Sequence, residues 1–209
     1  MKKEFEKRIL SSLIIIPIVF FFITKGSLFF LFFLGIFFYA TSYEWFKMNK
    51  NNDLRTIGII YLFIVAYSAY YLRENFGSKI FIFVIIICIF TDIGGYIFGK
   101  LFKGPKLIKI SPNKTYAGMF GGFILAMIAG SIYKKNIFIY SYQIEDSKFL
   151  LTILLISAIS QIGDLIISYF KRLAKVKDTG KLLPGHGGLL DRVDGIIFAL
   201  PISYLILIL

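Results

Sequence analysis

Seven stretches of this chain, each close to the length of a membrane-crossing helix, hold almost no charged side chains. That pattern removes most soluble folds, because a hydrocarbon core of about 30 Å is crossed by roughly 20 apolar helical residues. The stretches cover residues 9–23, 28–46, 57–72, 80–98, 115–133, 149–170 and 193–209, and apolar residues make up 57% of the whole. They predict an all-α, polytopic transmembrane bundle of about seven spans, built as one domain over residues 1–209 with no repeat or soluble linker. The first stretch follows a basic segment, MKKEFEKR, diluted by Glu4 and Glu6 and ending in TKGS without a small-residue cleavage site. It reads as a retained first span rather than a signal peptide.

A formal net charge of +12 would suggest nucleic acid in a soluble protein, but in a membrane chain the distribution of basic residues sets orientation. With the amino terminus placed inside, 18 of the 24 Lys and Arg residues fall on the inner side. The expected topology therefore has a cytoplasmic amino terminus, and it puts two basic, glycine-containing loops in the cytoplasm. The longer of them, residues 171–192, joins the last two spans, and long ordered loops in compact domains are usually functional. The single cysteine, Cys88, lies in an apolar run and excludes a disulfide framework.

Acids inside spans cost about 2.5–3.5 kcal/mol on insertion scales, so Glu44, Asp92 and Asp164 each need a reason. Glu44 reads as an interfacial residue beside Trp45, and Asp92 as a polar helix end or a partner for a loop lysine. Asp164 is the sharpest case. Gln161, Asp164, Ser168 and Lys171 recur at spacings of three and four, which lines them along one helix face running into the 171–192 loop. Beyond the loop, Asp191 and Asp194 are three apart at the start of the last span. Carboxylates from two helices beside a basic loop form an oxygen-donor site suited to a hard cation, and one histidine without a second soft ligand makes zinc a poor fit. In the loop, Lys171, Arg172, Lys175, Lys177, Lys181 and Arg192 supply cations, while Gly180, Gly185, Gly187 and Gly188 supply backbone amides able to approach an anion closely. That combination suits a polyphosphate. His186, flanked by glycines, reads equally as a phosphate contact or a loop anchor. The earlier basic loop, KLFKGPKLIKISPNKTYAG, offers SPNKT as a helix cap and Lys114 and Thr115 as further phosphate contacts.

Ser168-x-Phe170-Lys171-Arg172, Lys177-Asp178-x-Gly180, Pro184-x-His186-Gly187-Gly188 and Asp191-Arg192-x-Asp194 together resemble the signature of the phosphatidate cytidylyltransferases, the CDP-diacylglycerol synthases. The similarity extends upstream to Gly163-Asp164 and, more loosely, to TDIGGY and ISPNKTYAG. Asn113 stands where lysine is usual, Tyr116-Ala117 where Trp-Glu is usual and Gly195 where serine often follows the final aspartate. The chain also looks shorter at its amino-terminal end than typical members.

The resemblance implies a nucleotidyltransferase that converts CTP and membrane phosphatidate to CDP-diacylglycerol and pyrophosphate in phospholipid biosynthesis, working at the cytoplasmic face of a bacterial inner membrane. It implies magnesium, with a second cation as an open option, held by Asp164 and Asp191 with Asp194 in support. Lys171, Arg172, Lys177 and Arg192 would bind phosphates, Ser168, His186, Gly187 and Gly188 would add hydrogen bonds, and Asp178 would order the basic cluster through an ion pair. Nucleic acid is not an expected partner, and a homodimer is left open. Three alternatives stay in view: a CTP-dependent lipid kinase, a small transporter and a non-catalytic relative. A CDP-alcohol phosphotransferase is disfavoured, because Asp194-Gly195 is followed by IIFALPIS and not by that class's later acids.

Overall fold

The computed structural model describes residues 2–108, 111–138, 145–183, 185 and 187–208. The apolar stretches form helices, as their composition requires: α1 (Lys2–Lys25), α2 (Ser27–Met48), α3 (Asn52–Phe102), α4 (Tyr116–Phe138), α5 (Asp146–Leu173), α6 (Leu190–Val193) and α7 (Ile196–Ile208). Two short strands, β1 (Lys106–Ile108) and β2 (Ser111–Thr115), pair antiparallel between α3 and α4. The sequence reading has a plain loop there. The all-helical expectation needs that one amendment.

Four helices, α2 to α5, are long and apolar enough to cross a membrane. The apolar part of α1 and the 13 residues of α7 are shorter. The last helix begins only at Ile196, because Asp194 and Gly195 form a turn after α6. At 1.5 Å per residue α7 rises about 20 Å, less than the ~30 Å of a hydrocarbon core.

The third and fourth apolar stretches belong to one helical run of 51 residues, which Gly77 interrupts with φ 84° and ψ 166°. An unbroken helix of that length would extend about 76 Å, far beyond a bilayer. The break instead folds α3 into two antiparallel arms. Their direction follows from α2, which touches both: Phe30 near its start packs edge-on against Phe81 of the second arm at 5.3 Å. Phe38 further along meets Phe63 of the first arm at 6.1 Å, and Trp45 near its end donates to the Leu54 carbonyl at 2.9 Å. At the opposite end of α2, Arg73 donates to the carbonyls of Ile23 and Thr24 at 3.0 Å each, and Glu74 accepts the Ser27 amide at 2.9 Å. These bonds satisfy backbone groups that a helix end leaves open.

Helices α3 and α4 pack backbone to backbone through Gly95 and Gly99 on one side and Gly118 and Gly122 on the other. A methyl group at Gly118 would sit 2.7 Å from the Gly95 carbonyl oxygen. Two small residues four apart on each helix allow this approach where no hydrophobic drive separates helix from lipid. Helix α5 crosses α7 in the same manner, with Gly163 against the Asp194 carbonyl and Phe198, and Gly195 against Ser160. Buried between the layers are Phe30, Leu72, Ile87, Ile153 and Ile197. The outer face is apolar as well, with Leu28, Phe32, Phe63 and Ile132 exposed, the surface expected of a bundle solvated by lipid tails.

Candidate active site

Each helix reversal returns the chain to the same two ends, and one end collects the chemistry. It holds the last turn of α2, the end of the second arm of α3, the β1–β2 hairpin, the end of α5, the 174–189 loop and α6. The polar stripe on α5 is present, and each member has a different partner. Gln161 Nε2 donates to the Met119 carbonyl at 3.4 Å, Ser168 Oγ donates to Asp164 Oδ1 at 3.3 Å, and Lys171 Nζ contacts Asp191 Oδ1 at 2.8 Å. Asp164 Oδ2 is ion-paired with Lys114 Nζ from β2. Thr115, next to Lys114, accepts the Gly118 amide at 3.1 Å and closes the first turn of α4, the capping role its segment predicts.

Asp164 and Lys114 line a cavity of about 250 Å³ together with Asp92, Tyr96, Thr115 and Gln161. Asp194 is buried, accepts the Gly195 amide at 2.9 Å and lies within hydrogen-bonding reach of Asp164. Asp92 is close enough to interact electrostatically with Asp164 and with Lys114. Asp92 lies inside the second arm of α3, ten residues before its end, and the ion pair of Lys114 is with Asp164. Two carboxyl groups in contact repel unless a proton or a cation lies between them.

The loop begins where α5 ends in a Schellman turn. Lys175, at φ 56°, donates to the Arg172 carbonyl at 3.0 Å, and Val176 donates to that of Lys171 at 2.9 Å. Leu183 and Gly187 then exchange backbone hydrogen bonds of 2.9 and 3.1 Å. Asp191 Oδ2 accepts the amides of Thr179 and Gly188 at 2.8 and 3.2 Å and faces the Thr179 hydroxyl at 3.1 Å. Glu44 accepts the amides of Leu189 and Leu190 at 3.0 and 2.8 Å.

This geometry bears on three sequence readings. The amides of Gly187 and Gly188, expected to meet an anion, are bonded to Leu183 and Asp191 within the protein. Asp178 is exposed, and no ion pair among the described residues includes it, so the expected ordering of the basic cluster through Asp178 is absent from them. Glu44 and Trp45 face the protein interior: they are 2% and 5% exposed, and Trp45 packs edge-on against Phe170 at 4.9 Å. Arg172, Lys177 and Arg192 are exposed, whereas Lys171 is largely covered by its pairing with Asp191. His186 lies outside the described residues.

The expected metal ligands therefore separate. Asp164 and Asp194 adjoin, while Asp191 turns to Lys171 and the loop. Among the described residues no three His, Cys, Asp or Glu side chains gather to hold one ion. Magnesium does not require three, since one or two carboxylates commonly suffice when phosphate oxygens and water complete the octahedron. The all-oxygen donor set of Asp164 and Asp194 fits that arrangement.

A family model described as "Cytidylyltransferase family" matches residues 54–209. The chain belongs to that family. Among its relatives, the phosphatidate cytidylyltransferase of Staphylococcus haemolyticus (strain JCSC1435) is 37% identical over 145 residues, covering 69% of this chain and 55% of that protein. The enzyme of the same name from Staphylococcus saprophyticus is 39% identical over 153 residues, covering 73% and 55%. That of Brucella suis biovar 1 is 40% identical over 153 residues, covering 71% and 54%. The chain thus spans about half the length of the curated relatives it matches. Every element of this cytidylyltransferase-family site falls inside the matched span except the end of α2, with Glu44.

Proposed function

We propose that this family member transfers CMP from CTP to phosphatidate, giving CDP-diacylglycerol and pyrophosphate. The observation that carries the reading is the joint placement, at one end of an apolar bundle, of the Asp164–Asp194 pair, the cavity beside it and the cations of the 171–192 loop. A lipid phosphate presented at the membrane surface and a nucleotide arriving from water would meet there.

In the reaction an oxygen of the phosphatidate phosphate attacks the α-phosphorus of CTP. A new P–O bond forms as the bond between that phosphorus and the β-phosphate oxygen breaks, and pyrophosphate leaves. A phosphate monoester with a second pKa of about 6 is mostly dianionic at neutral pH, so no strong general base is required. What the protein must supply is alignment and charge neutralisation. Lys171, Arg172, Lys177 and Arg192 would bind phosphate oxygens, with hydrogen bonds from Ser168 and His186. Lys114 would be released from Asp164 to contribute as well. Asp164 and Asp194 would hold magnesium, which when bound neutralises triphosphate charge. Asp191 could join them only by giving up Lys171, so its first role is to hold that lysine and the loop.

The finer topology belongs to the same proposal: seven spanning segments, amino terminus in the cytoplasm, site on the cytoplasmic side of a bacterial inner membrane. The alternation of helix directions and the gathering of the basic loops at one end support it. The deciding experiment supplies purified protein with CTP, phosphatidate and magnesium and identifies the products. CDP-diacylglycerol and pyrophosphate in equal amounts are expected; free CDP with a newly phosphorylated lipid would instead show a lipid kinase.

A further inference from the structure

Glu44 is an acid on α2, 2% exposed, and no ion pair among the described residues includes it. A carboxylate so placed is costly unless hydrogen bonds meet its charge. Among the described residues they come from the signature loop, more than a hundred residues away: the amides of Leu189 and Leu190 at 3.0 and 2.8 Å, and the hydroxyl of Thr179 at 3.1 Å. The same Thr179 hydroxyl lies 3.1 Å from Asp191 Oδ2, and its amide donates to that oxygen at 2.8 Å. One loop is therefore gripped between two carboxylates, with the single hydroxyl proton of Thr179 shared between them.

The glycines of the loop fit this grip. A methyl group on Gly180 would lie 2.8 Å from the Glu44 carboxyl carbon, and one on Gly188 would lie 2.8 Å from both Glu44 Oε2 and the Gly180 amide nitrogen. Two of the glycines that look like an anion-binding loop thus admit the protein's own carboxylate. The chain of contact continues outward, since Asp191 uses its other oxygen to hold Lys171 Nζ at 2.8 Å.

We infer that Glu44 is a positioning residue of the site, fixing the loop at Thr179 and at Leu189 and Leu190 and, through Thr179 and Asp191, the placement of Lys171. Glu44 precedes the span matched by the family model, residues 54–209, so α2 is a working part of the site and not only a wall of the bundle. The kinetic arm of the following test rests on the proposed reaction, whereas the proteolytic arm does not.

The test uses the full chain in lipid nanodiscs and compares wild type with Glu44→Gln, Thr179→Val, their double variant and Thr41→Val, a control on the same helix whose hydroxyl bonds to the Phe37 and Phe38 carbonyls of that helix. Glutamine keeps the shape of Glu44 but turns a donor toward amides that need an acceptor. Trypsin cleavage after Lys175, Lys177 and Lys181 should rise about tenfold or more in Glu44→Gln, as expected when charge-assisted bonds that order a segment are lost. The thermal midpoint of the bundle should stay near wild type. Turnover should fall by about tenfold while KM for CTP changes by less than about threefold, the split expected when alignment rather than binding is lost. The double variant should be no worse than the poorer single one, because both act through one contact.

Wild-type cleavage and turnover in Glu44→Gln would overturn the inference. So would equal loss of midpoint and activity in Glu44→Gln and Thr41→Val, which is the signature of a helix that only packs. Should Glu44→Gln fail to fold, Thr179→Val decides on the same two readouts. Should wild type show no CTP turnover, the proposed reaction fails, and loop cleavage alone decides the role of Glu44.

Discussion

Asp164 and Lys171 show how far single residues govern this site. Asp164 is part-exposed at the cavity, paired to Lys114 on one side and next to Asp194 on the other. Asp164→Asn keeps the volume and removes the charge, so CDP-diacylglycerol formation should fall by about a hundredfold or more if a cation is neutralised there. Magnesium titration of the residual activity checks the cause, since the variant should need more metal for half-maximal rate. Lys171 acts differently. Its ion pair with Asp191 is largely enclosed, the side chains being 14% and 7% exposed, and removing one partner of a buried pair typically costs about 3–5 kcal/mol. Lys171→Met should therefore lower the thermal midpoint as well as turnover, whereas Arg172→Met, at an exposed position, should lower turnover with little change in midpoint. Asp164 could be found from its neighbours in sequence, because residues three and four apart on a helix share a face. Glu44 could not. It stands out as an acid in an apolar run, but its partners are two backbone amides and a hydroxyl more than a hundred residues away, which no spacing in a one-letter sequence marks.

Among elements, the two glycine devices make opposite demands. At Gly77 nothing lies within 4 Å of an added methyl group, but φ is 84°, so Gly77→Ala meets only backbone strain, about 1–3 kcal/mol. At Gly118 the backbone is helical, but the methyl group would meet the Gly95 carbonyl oxygen at 2.7 Å. Gly118→Leu should therefore separate α3 from α4 and disturb the cavity between them. Thermal unfolding in detergent should show a loss for both variants, while CTP turnover below the midpoint should drop only for Gly118→Leu. The break at Gly77 was legible as a polar gap between two apolar runs. The β1–β2 hairpin was not, since KLIKISPNKT reads as a basic loop, and only its packing over the cavity makes it an element.

At the scale of the whole molecule, orientation is the testable property. Cys88 is buried, so the chain offers a quiet background for introduced thiols. Lys175→Cys in the signature loop and Lys25→Cys at the other end of the bundle should react with a membrane-impermeant maleimide from opposite sides, Lys175→Cys from the cytoplasm. Labelling of both from one side would refute the topology. The sequence by itself determined the solvent, the helices, their alternation and the end of the bundle that holds charge. Transfer free energy and helical periodicity are sums over neighbours along the chain, and a sequence lists neighbours. Only the tertiary structure decided that the loop amides are spent on Glu44 and Asp191, that Lys114 reaches Asp164, and that Asp194 rather than Asp191 adjoins it. Those contacts join residues far apart in the chain, and their energy depends on distances of a few ångströms that no spacing in the sequence encodes.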